Sequence, residues 1–592
     1  MIGWIKEDQM EYHYTQEKNV QMLVYLMKAH GIKKVIASPG TTNITFVASL
    51  QQDPFFELYS AADERSAAYM ACGLAAESGE PVALSCTGAT ASRNYVPGLT
   101  EAYYRKLPVL AVTSTQHTGR IGQLCPQVID RSVIQKDIAV MSVQIPMIHC
   151  AEDEWDCNIK LNAALLALTH RGGGPVHINL TTEYTRGFDV QKLPEFRVIR
   201  RIQAGDSFPT ISAKRVGIFV GAHRAWSEAL TKAVDAFCEK YNGVVLCDHT
   251  SNYRGKYRVQ FNLVTAQVEH CFETRKMDLL VDMGEMSGAY MGLSPKEVWR
   301  VNPDGQIRDT WKKITKIFDM EEYTFFHKYS KYSEMVAGEE CTEYYETCRR
   351  QYDELLAQVP ELPFSNDWMA QVTAPRIPEN SVLHLGILNT LRSWNFFETP
   401  DSVTCFCNTG GFGIDGIVST FVGSALANPD KLHFCVVGDL AFFYDLNAMA
   451  NRNVLNNIRI LLINNGCGTE FKNYNHFAAQ FEDDANPYMA AMGHYGQKSP
   501  KLVRDYATDL GFVYLTASNK EEYLNVLDHF VNPEMTDQPM LLETFTNYQD
   551  ESDALKLMNH IVAPTATGMA KKLAKGLLGD KGVKTVKRLI KG

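Results

Sequence analysis

The sequence predicts an α/β protein built from three doubly wound parallel-sheet domains followed by a basic tail. Short apolar segments with the length of strands alternate with helical stretches almost throughout, which is typical of parallel sheets covered by helices on both faces. The chain has 592 residues, too many for one hydrophobic core, and this length predicts roughly three or four domains. Apolar residues make up 45% and charged residues 21%, as in ordinary globular proteins.

Three successive blocks carry the predicted strands. In the first block, residues 1–190, these are Lys34–Ala37, Val82–Cys86, Pro108–Thr113 and Val176–Leu180. In the second block, residues 191–360, they are Val216–Val220, Val244–Asp248 and Leu279–Asp282. In the third block, residues 361–560, they are Val403–Cys407, Leu432–Val437, Arg459–Ile463 and Met540–Phe545. Since ligands of doubly wound sheets bind at the carboxyl ends of the strands, functional residues are expected directly after these segments.

The final segment, residues 561–592, differs in composition from the rest. From Lys571 onward it carries seven lysines and Arg588 against one acid, Asp580, together with apolar residues that would form a stripe on a helix. Three glycines interrupt that pattern, which favours a solvated terminus. The alternative interpretation is a basic amphipathic tail that makes weak, reversible contact with an anionic membrane surface.

Charge, cysteines and hydropathy exclude several classes of protein. The net charge of −10 argues against a nucleic-acid-binding surface. The cysteines form no C-x-x-C pair. Cys86, Cys247 and Cys435 lie in predicted strands, where a free cysteine serves as a small apolar residue, and this usage is typical of proteins in a reducing compartment. The N-terminus does not have the pattern of a signal peptide, and no apolar run is long enough to span a bilayer. A cytoplasmic location is therefore expected.

A glycine-rich turn follows the first predicted strand of the third block. Gly410 and Gly411 open it, and Gly411, Gly413 and Gly416 have the G-x-G-x-x-G spacing. Such glycines let the backbone approach a phosphate closely. With Asp439 after the next predicted strand, the pattern also fits a dinucleotide site, so an oxidoreductase remains an alternative.

The next two predicted strands end in polar pairs. Gly438-Asp439 follows one strand and Asn464-Asn465 follows the other, so that Asp439 and Asn465 are separated by one strand–helix–strand unit. Neighbouring parallel strands place both pairs at one edge of a sheet. A carboxylate, an amide oxygen and a nearby backbone carbonyl form an oxygen ligand set suited to Mg²⁺. Either pair taken alone is also common in simple turns.

The two polar pairs at this spacing resemble the diphosphate motif of the thiamine-diphosphate-dependent enzymes. In the first block, Asp63–Ala75 is similar to that family's pyrimidine-domain helix, and Thr87–Asn94 is similar to its T-S-G-T-A-x-x-N turn. The resemblance implies a pyrimidine-binding domain (1–190), a middle Rossmann-like domain (191–360) and a diphosphate-binding domain (361–560). It also implies a homodimer or homotetramer, in which the cofactor binds between domains of different subunits.

Within this superfamily the chain is similar to the synthase family of the menaquinone pathway, which decarboxylates 2-oxoglutarate and adds the fragment to isochorismate. The similar stretches are Ser38–Gly40, Asp63–Ala68, Gly413–Gly416, Gly438–Asn447 and the G-x-x-x-x-x-R spacing of Gly386–Arg392. Three arginines of that family are missing: Thr41-Thr42-Asn43 follows Ser38–Gly40, Ser114–Thr118 replaces an arginine-containing segment, and Thr409 follows Asn408. We therefore expect a changed substrate.

The resemblance assigns individual roles to residues of this chain. Glu64 is the catalytic acid at the pyrimidine ring, Arg392 holds a substrate carboxylate and Gln127 orients the reacting oxygens. The cofactor contacts implied are Glu64, Asn94, Gly410, Gly413, Ile414, Gly438 and Ala441. The Mg²⁺ ligands implied are Asp439, Asn465 and Cys467.

The expected activity is decarboxylation of a 2-keto acid and transfer of the acyl fragment to an acceptor. A simple 2-keto-acid decarboxylase or an enzyme similar to acetolactate synthase is an alternative within the same chemistry. The dinucleotide-dependent oxidoreductase and a catalytically silent cofactor-binding scaffold are alternatives from other classes, although the presence of Glu64 argues against the scaffold.

Overall fold

A computed structural model describes residues 13–224, 226–268, 270–289, 291–331, 342–494 and 499–563. The basic tail lies outside these residues from position 564 onward. Among the described residues, no helix is both long enough and apolar enough to cross a lipid bilayer.

Strands and helices alternate along the described chain. Up to residue 203 they are α1 (Lys18–Ala29), β1 (Lys34–Ala37), α2 (Ile44–Gln51), β2 (Glu57–Ser60), α3 (Glu64–Ser78), β3 (Val82–Cys86), α4 (Thr90–Asn94), α5 (Val96–Tyr104), β4 (Val109–Thr115), β5 (Met141–Ile145), α6 (Ala151–Ala167), β6 (Val176–Thr181) and β7 (Arg200–Gln203). Up to residue 356 they are β8 (Val216–Val220), α7 (Glu228–Lys240), β9 (Gly243–Cys247), β10 (Arg258–Gln260), α8 (Asn262–Ala266), β11 (Lys276–Met283), β12 (Ser294–Asn302), β13 (Ile314–Asp319), α9 (Glu322–Lys331) and α10 (Glu343–Leu356).

The remaining elements follow the Pro360–Pro363 segment. They are α11 (Asn366–Thr373), β14 (Val382–Leu385), α12 (Asn389–Trp394), β15 (Thr404–Phe406), α13 (Ile417–Ala427), β16 (His433–Gly438), α14 (Asp439–Tyr444), β17 (Ile458–Asn464), α15 (Leu502–Asp509), β18 (Val513–Ala517), α16 (Lys520–Phe530), β19 (Met540–Phe545) and α17 (Tyr548–Asn559).

The chain divides into two compact units. Unit 1 contains the described residues of 13–203 and 304–319, and unit 2 contains those of 204–303 and 320–563. Unit 1 has a six-stranded parallel sheet in the order β2-β1-β3-β4-β6-β5, and it also contains the parallel pair β7–β13. Unit 2 has two parallel sheets, one with the order β10-β9-β8-β11-β12 and one with the order β15-β14-β16-β17-β19-β18.

Alternate residues of the strands in unit 1 face opposite layers of helices. Val35, Ala83 and Leu110 belong to the core formed with α1, α2 and α6, whereas Ile36 and Leu84 belong to the core formed with α3 and α5. Because helices cover both faces of this sheet, the sequences of its strands are nearly continuous runs of apolar residues. The three parallel sheets confirm the predicted α/β fold class. The predicted domain boundaries at residues 190 and 360 remain predictions.

Candidate functional site

Asp439 and Asn465 lie at one edge of the last sheet, as their spacing predicted. β16 and β17 are parallel neighbours, and Gly438 is in register with Ile463. Asp439 is only 4% exposed. Its Oδ1 accepts a hydrogen bond from the Leu440 N–H at 2.7 Å, and its Oδ2 accepts one from the Gly466 N–H at 2.6 Å. The carboxylate is therefore fixed against the turn that begins with Asn465.

The surroundings of Asp439 are poor in positive charge. Burial raises the pKa of this carboxyl group to about 7, although hydrogen bonds from backbone N–H groups oppose the shift. In the part of the chain that the structure describes, no lysine or arginine forms an ion pair with Asp439. An enclosed carboxylate of this kind is stabilised in its charged form by a cation, so the position favours metal binding.

The two asparagines after β17 have different surroundings. Asn464 is buried, and its amide donates a hydrogen bond to Glu543 at 2.7 Å. Asn465 is partly exposed, and its Oδ1 accepts from the Cys467 N–H at 3.3 Å. Burial raises the pKa of the Cys467 thiol to about 12, so the group that suits Mg²⁺ at this residue is the backbone carbonyl and not a thiolate.

Among the described residues, no group of three or more His, Cys, Asp and Glu side chains is placed to hold a metal ion. A site at Asp439 would therefore depend on one carboxylate supplemented by amide and carbonyl oxygens. Mg²⁺ is typically bound in this way, because substrate phosphates and water complete its octahedron.

The glycine-rich turn after β15 leaves open space beside its backbone. A Cβ atom added at Gly410, Gly411 or Gly438 would meet no atom within 4 Å. Gly416 adopts φ +78°, which suits glycine, and it precedes α13. The Asp445 carboxylate fixes the start of α13 by accepting hydrogen bonds from the Ser419 N–H at 2.5 Å and from its hydroxyl at 2.6 Å.

Of three other predicted cofactor residues, Gly413 and Ile414 lie in the glycine-rich turn and Ala441 lies in α14. Ile414 and Ala441 are partly buried. Gly413 is close to Asp415, because an added Cβ would come within 2.4 Å of Asp415 Oδ1. A side chain at Gly413 would therefore require the Asp415 carboxylate to move.

The sheet order does not favour the dinucleotide alternative. A dinucleotide fingerprint needs the strand before the glycine turn to lie beside the strand that ends in the acid. Here β14 lies between β15, which precedes the glycines, and β16, which precedes Asp439. The sequence prediction missed β14, a buried four-residue strand, and β15 and β16 are therefore successive in the chain but not neighbours in the sheet.

Arg392 lies in α12, after β14, and its guanidinium group is already paired. It donates to both carboxylate oxygens of Glu470, at 2.9 and 3.0 Å, and to Asn389 Oδ1 at 2.8 Å. Glu470 and Asn389 use both N–H groups of Nη1, so a substrate carboxylate that binds this nitrogen must displace one of them. The sequence gave no indication of this partner, because 78 residues separate the two positions.

In unit 1, Glu64 is the first residue of α3. Asp63 caps this helix by accepting a hydrogen bond from the Ser66 N–H at 2.8 Å. Glu64 is partly exposed, and its Oε2 accepts a hydrogen bond from the Asn94 side chain at 3.2 Å. The helix and the turn that the sequence singled out thus meet through Glu64 and Asn94.

The turn that contains Thr87 and Gly88 contacts two other loops. An added Cβ at Gly40 would come 2.3 Å from Thr87 Cβ, and one at Gly88 would come 2.7 Å from the Gln127 carbonyl oxygen. Gln127 is exposed and has φ +63°, which is uncommon for a residue with a side chain. Gln127 therefore lies beside the turn that leads to Asn94.

Comparisons with known proteins agree with this arrangement. The family described as "Thiamine pyrophosphate enzyme, N-terminal TPP binding domain" matches residues 18–141. A protein of Bacteroides thetaiotaomicron named 2-succinyl-5-enolpyruvyl-6-hydroxy-3-cyclohexene-1-carboxylate synthase is 32% identical over 567 residues, which cover 92% of this chain and 99% of the relative. Proteins with the same name from Bacteroides fragilis (31% identical, 92% and 99% covered) and Flavobacterium johnsoniae (27% identical, 78% and 85% covered) are also similar. The chain belongs to the family of thiamine-diphosphate-dependent enzymes that includes these synthases.

Proposed function

We propose that the protein uses thiamine diphosphate and Mg²⁺ to decarboxylate a 2-keto acid and to transfer the acyl fragment to an acceptor. The observation that carries this proposal is the enclosed Asp439 carboxylate, held at 2.6 Å from the Gly466 N–H at the carboxyl edge of a parallel sheet. Membership in the family indicates that the cofactor is thiamine diphosphate, and Asp439 marks the position where its metal ion would bind.

The residues at this edge fit a metal–diphosphate group. Asp439, Asn465 and the carbonyl of Cys467 would hold Mg²⁺, and the backbone at Gly410 and Gly438 would lie beside the diphosphate. The open space next to both glycines supports this assignment, since a side chain at either position would occupy it. Gly413, Ile414 and Ala441 would complete the walls of the same site.

In unit 1, Glu64 would donate or accept the hydrogen bond at the pyrimidine ring of the cofactor. The Asn94 amide holds the Glu64 carboxyl group in place and leaves its other oxygen, Oε1, for this contact. When bound, thiamine diphosphate provides an electron sink for the electron pair that remains when carbon dioxide is lost. Gln127, next to the same turn, would orient the oxygens of the reacting substrate.

The role of Arg392 depends on its pairing with Glu470. A bidentate ion pair satisfies two of the donor nitrogens of Arg392 and offsets its charge. We therefore infer that Arg392 binds a substrate carboxylate through both of its terminal nitrogens only when Glu470 moves away. This pairing and the missing arginines both favour a substrate with fewer carboxylates than 2-oxoglutarate and isochorismate.

Product analysis tests the proposed reaction. The purified protein is incubated with thiamine diphosphate, Mg²⁺ and either pyruvate or 2-oxoglutarate, with and without an aldehyde acceptor, and the products are identified by mass spectrometry. Release of carbon dioxide together with a carbon–carbon coupled product is the expected result. An aldehyde as sole product would indicate the simple decarboxylase, and no turnover would contradict the proposal.

The number of subunits is a further prediction of the same proposal. If one subunit contributes Glu64 and another contributes Asp439, the inactive variants Glu64→Gln and Asp439→Asn should complement each other when co-expressed. In a randomly formed homodimer the mixed preparation should recover about a quarter of the wild-type activity, because half of the dimers are mixed and each has one intact site. Light scattering distinguishes a dimer from a tetramer.

A further inference from the structure

Three aromatic side chains of unit 2 are exposed in the segment between β17 and α15. Phe477 is 77% exposed and Tyr488 is 90% exposed. Phe481 is also exposed, and its ring centroid lies 6.1 Å from that of Phe477. Single exposed apolar residues are common on protein surfaces, whereas a patch of several typically binds another segment or molecule. The composition of this segment is therefore that of a docking site.

Two acids give the same segment a negative charge. Asp483 and Asp484 are adjacent, exposed residues of the short 3₁₀ helix Phe477–Ala485. In the part of the chain that the structure describes, neither forms an ion pair with a lysine or arginine, and Asp483 accepts a hydrogen bond from the Asn486 amide at 3.2 Å. Adjacent carboxylates repel each other, so a cationic partner would stabilise both. The aromatic–acidic surface consists of Phe477, Phe481, Asp483, Asp484 and Tyr488.

The basic tail has the complementary composition. From Lys571 onward it carries seven lysines and Arg588 against one acid, Asp580. Aliphatic residues lie between the lysines, among them Leu577 and Leu578. The lysines complement the charge of the two aspartates, and the aliphatic residues suit the exposed aromatic rings. The same chain thus contains a segment that matches both properties of the surface.

The tail begins within reach of the aromatic–acidic surface. The His560 ring centroid lies 5.8 Å from that of Tyr474, and the Asn559 amide donates a hydrogen bond to the Tyr474 hydroxyl at 3.0 Å. Tyr474 is three residues before Phe477. An extended chain advances about 3.3–3.6 Å per residue, so the eight residues from 564 to 571 can span about 27 Å. The lysines from Lys571 onward can therefore reach the surface of their own chain.

The aromatic–acidic surface is joined to the turn that carries Glu470. Lys472 and Glu470 belong to the same 3₁₀ turn, Thr469–Lys472. The Lys472 ammonium group donates hydrogen bonds to the Glu482 carbonyl oxygen at 2.8 Å and to Asn486 Oδ1 at 2.7 Å. A segment held on the surface would therefore restrain the turn whose Glu470 binds Arg392.

We propose that the basic tail, residues 564–592, docks on the aromatic–acidic surface of its own chain. Lysines of the tail pair with Asp483 and Asp484, while its aliphatic residues cover the exposed aromatic rings. Because much of the attraction is between exposed charges, salt weakens the contact. The docked tail restrains the turn at Glu470, and high ionic strength releases it. This inference does not depend on the proposed reaction.

Hydrogen exchange of the full-length protein tests the docking. Amide exchange of residues 477–489 should be about tenfold slower in the wild type than in a variant with Lys571→Glu, Lys572→Glu and Lys575→Glu, since docking protects this segment. The difference should disappear in 1 M salt, where screening extends over only about 3 Å. Equal exchange in the two proteins at low salt would overturn the proposal.

A charge exchange makes the test specific. Asp483→Lys combined with Asp484→Lys should speed exchange of the segment, and adding the three tail substitutions should slow it again, because attraction is restored with the signs reversed. Asp430→Lys combined with Asp537→Lys changes two exposed aspartates of the same unit outside the segment and should leave its exchange unchanged. Tyr488→Ser, at a side chain that is 90% exposed, should also speed exchange, which keeps a test available if the reversed variants do not fold.

Two further measurements identify the occupant of the surface. Protection that appears only at high protein concentration would assign the tail to a second molecule and overturn docking on the same chain. Sedimentation of the wild type with phosphatidylglycerol vesicles, combined with unprotected residues 477–489 in their absence, would assign the tail to a lipid surface instead. Neither measurement uses turnover, so failure of this inference leaves the proposed function intact.

Discussion

Glu64 in unit 1 and Asp439 in unit 2 occupy similar places in their folds but have different surroundings. Each is the first residue of a helix that follows a parallel strand. Glu64 is partly exposed and has one side-chain partner, Asn94. Asp439 is 4% exposed, and backbone N–H groups hold both of its oxygens.

In the proposed function, this difference in surroundings suits the two acids to different tasks. A carboxyl group that shares a hydrogen bond with a ligand must keep one oxygen accessible, as Glu64 does. A carboxylate that holds a metal ion must be fixed in position and shielded from competing partners, as Asp439 is. The following predictions test this division, beginning with the largest expected effect.

Replacement of Glu64 by glutamine should affect turnover more than binding. Glutamine keeps the size of the side chain and removes the titratable group, so we expect kcat to fall roughly 10²- to 10⁴-fold. Calorimetric titration should show thiamine diphosphate binding close to that of the wild type. Glu77→Gln, at an exposed position of the same helix, is the matched control. Unchanged turnover in Glu64→Gln would refute the catalytic role.

Replacement of Asp439 by asparagine should affect binding first. Loss of the charged oxygen should weaken binding of Mg²⁺ and, with it, of thiamine diphosphate by about 100-fold, the upper range for groups that support a metal site. Titration of the cofactor at several Mg²⁺ concentrations measures this change. Asp430→Asn, an exposed aspartate in the same unit, should bind like the wild type. If both variants bind equally, Asp439 is not a metal ligand.

The raised pKa of Asp439 predicts opposite pH dependences for two quantities. As pH rises, this group's contribution to the stability of the metal-free protein should decrease, whereas the affinity for Mg²⁺ should increase. Because the folded-state pKa, about 7, exceeds the usual carboxyl value of 3.8, this group's contribution to the stability of the metal-free protein is fully present below pH ~4 and is lost as pH rises through about 7. Mg²⁺ requires the charged form, so its affinity should fall about tenfold per pH unit below 7.

Thermal unfolding at several pH values, with and without Mg²⁺, checks both directions. The stabilisation by Mg²⁺ should increase from pH 5.5 to pH 8 in the wild type and should be nearly absent in Asp439→Asn. An equal effect of Mg²⁺ at all pH values would argue that the ion binds to a group other than Asp439.

Glu470→Gln should have the smallest effect of these substitutions, and it should change only the preference between donor substrates. Without the negative charge of Glu470, the Arg392 guanidinium group becomes available for a second substrate carboxylate. We expect kcat/KM for 2-oxoglutarate relative to pyruvate to rise about tenfold, the effect of one charge-assisted hydrogen bond. Glu482→Gln, in an exposed segment further along the chain, is the control. No change in the ratio would mean that Arg392 does not contact the donor.

The sequence by itself determined the fold class and much of the candidate site. Apolar runs at Lys34–Ala37, Val82–Cys86 and Met540–Phe545 are strands with the predicted bounds, because strands buried on both faces need continuous apolar residues. The spacing of Asp439 and Asn465 predicted one sheet edge, since successive parallel strands place their carboxyl ends together.

The tertiary structure decided what the local pattern does not encode. It placed β14 beside β16, paired Arg392 with Glu470 and enclosed Asp439. Secondary structure follows from the periodicity of neighbouring residues, which a single sequence displays. Burial, ion pairing and the shape of a cavity depend on residues distant in the chain, and these come together only when the sheets and helices pack.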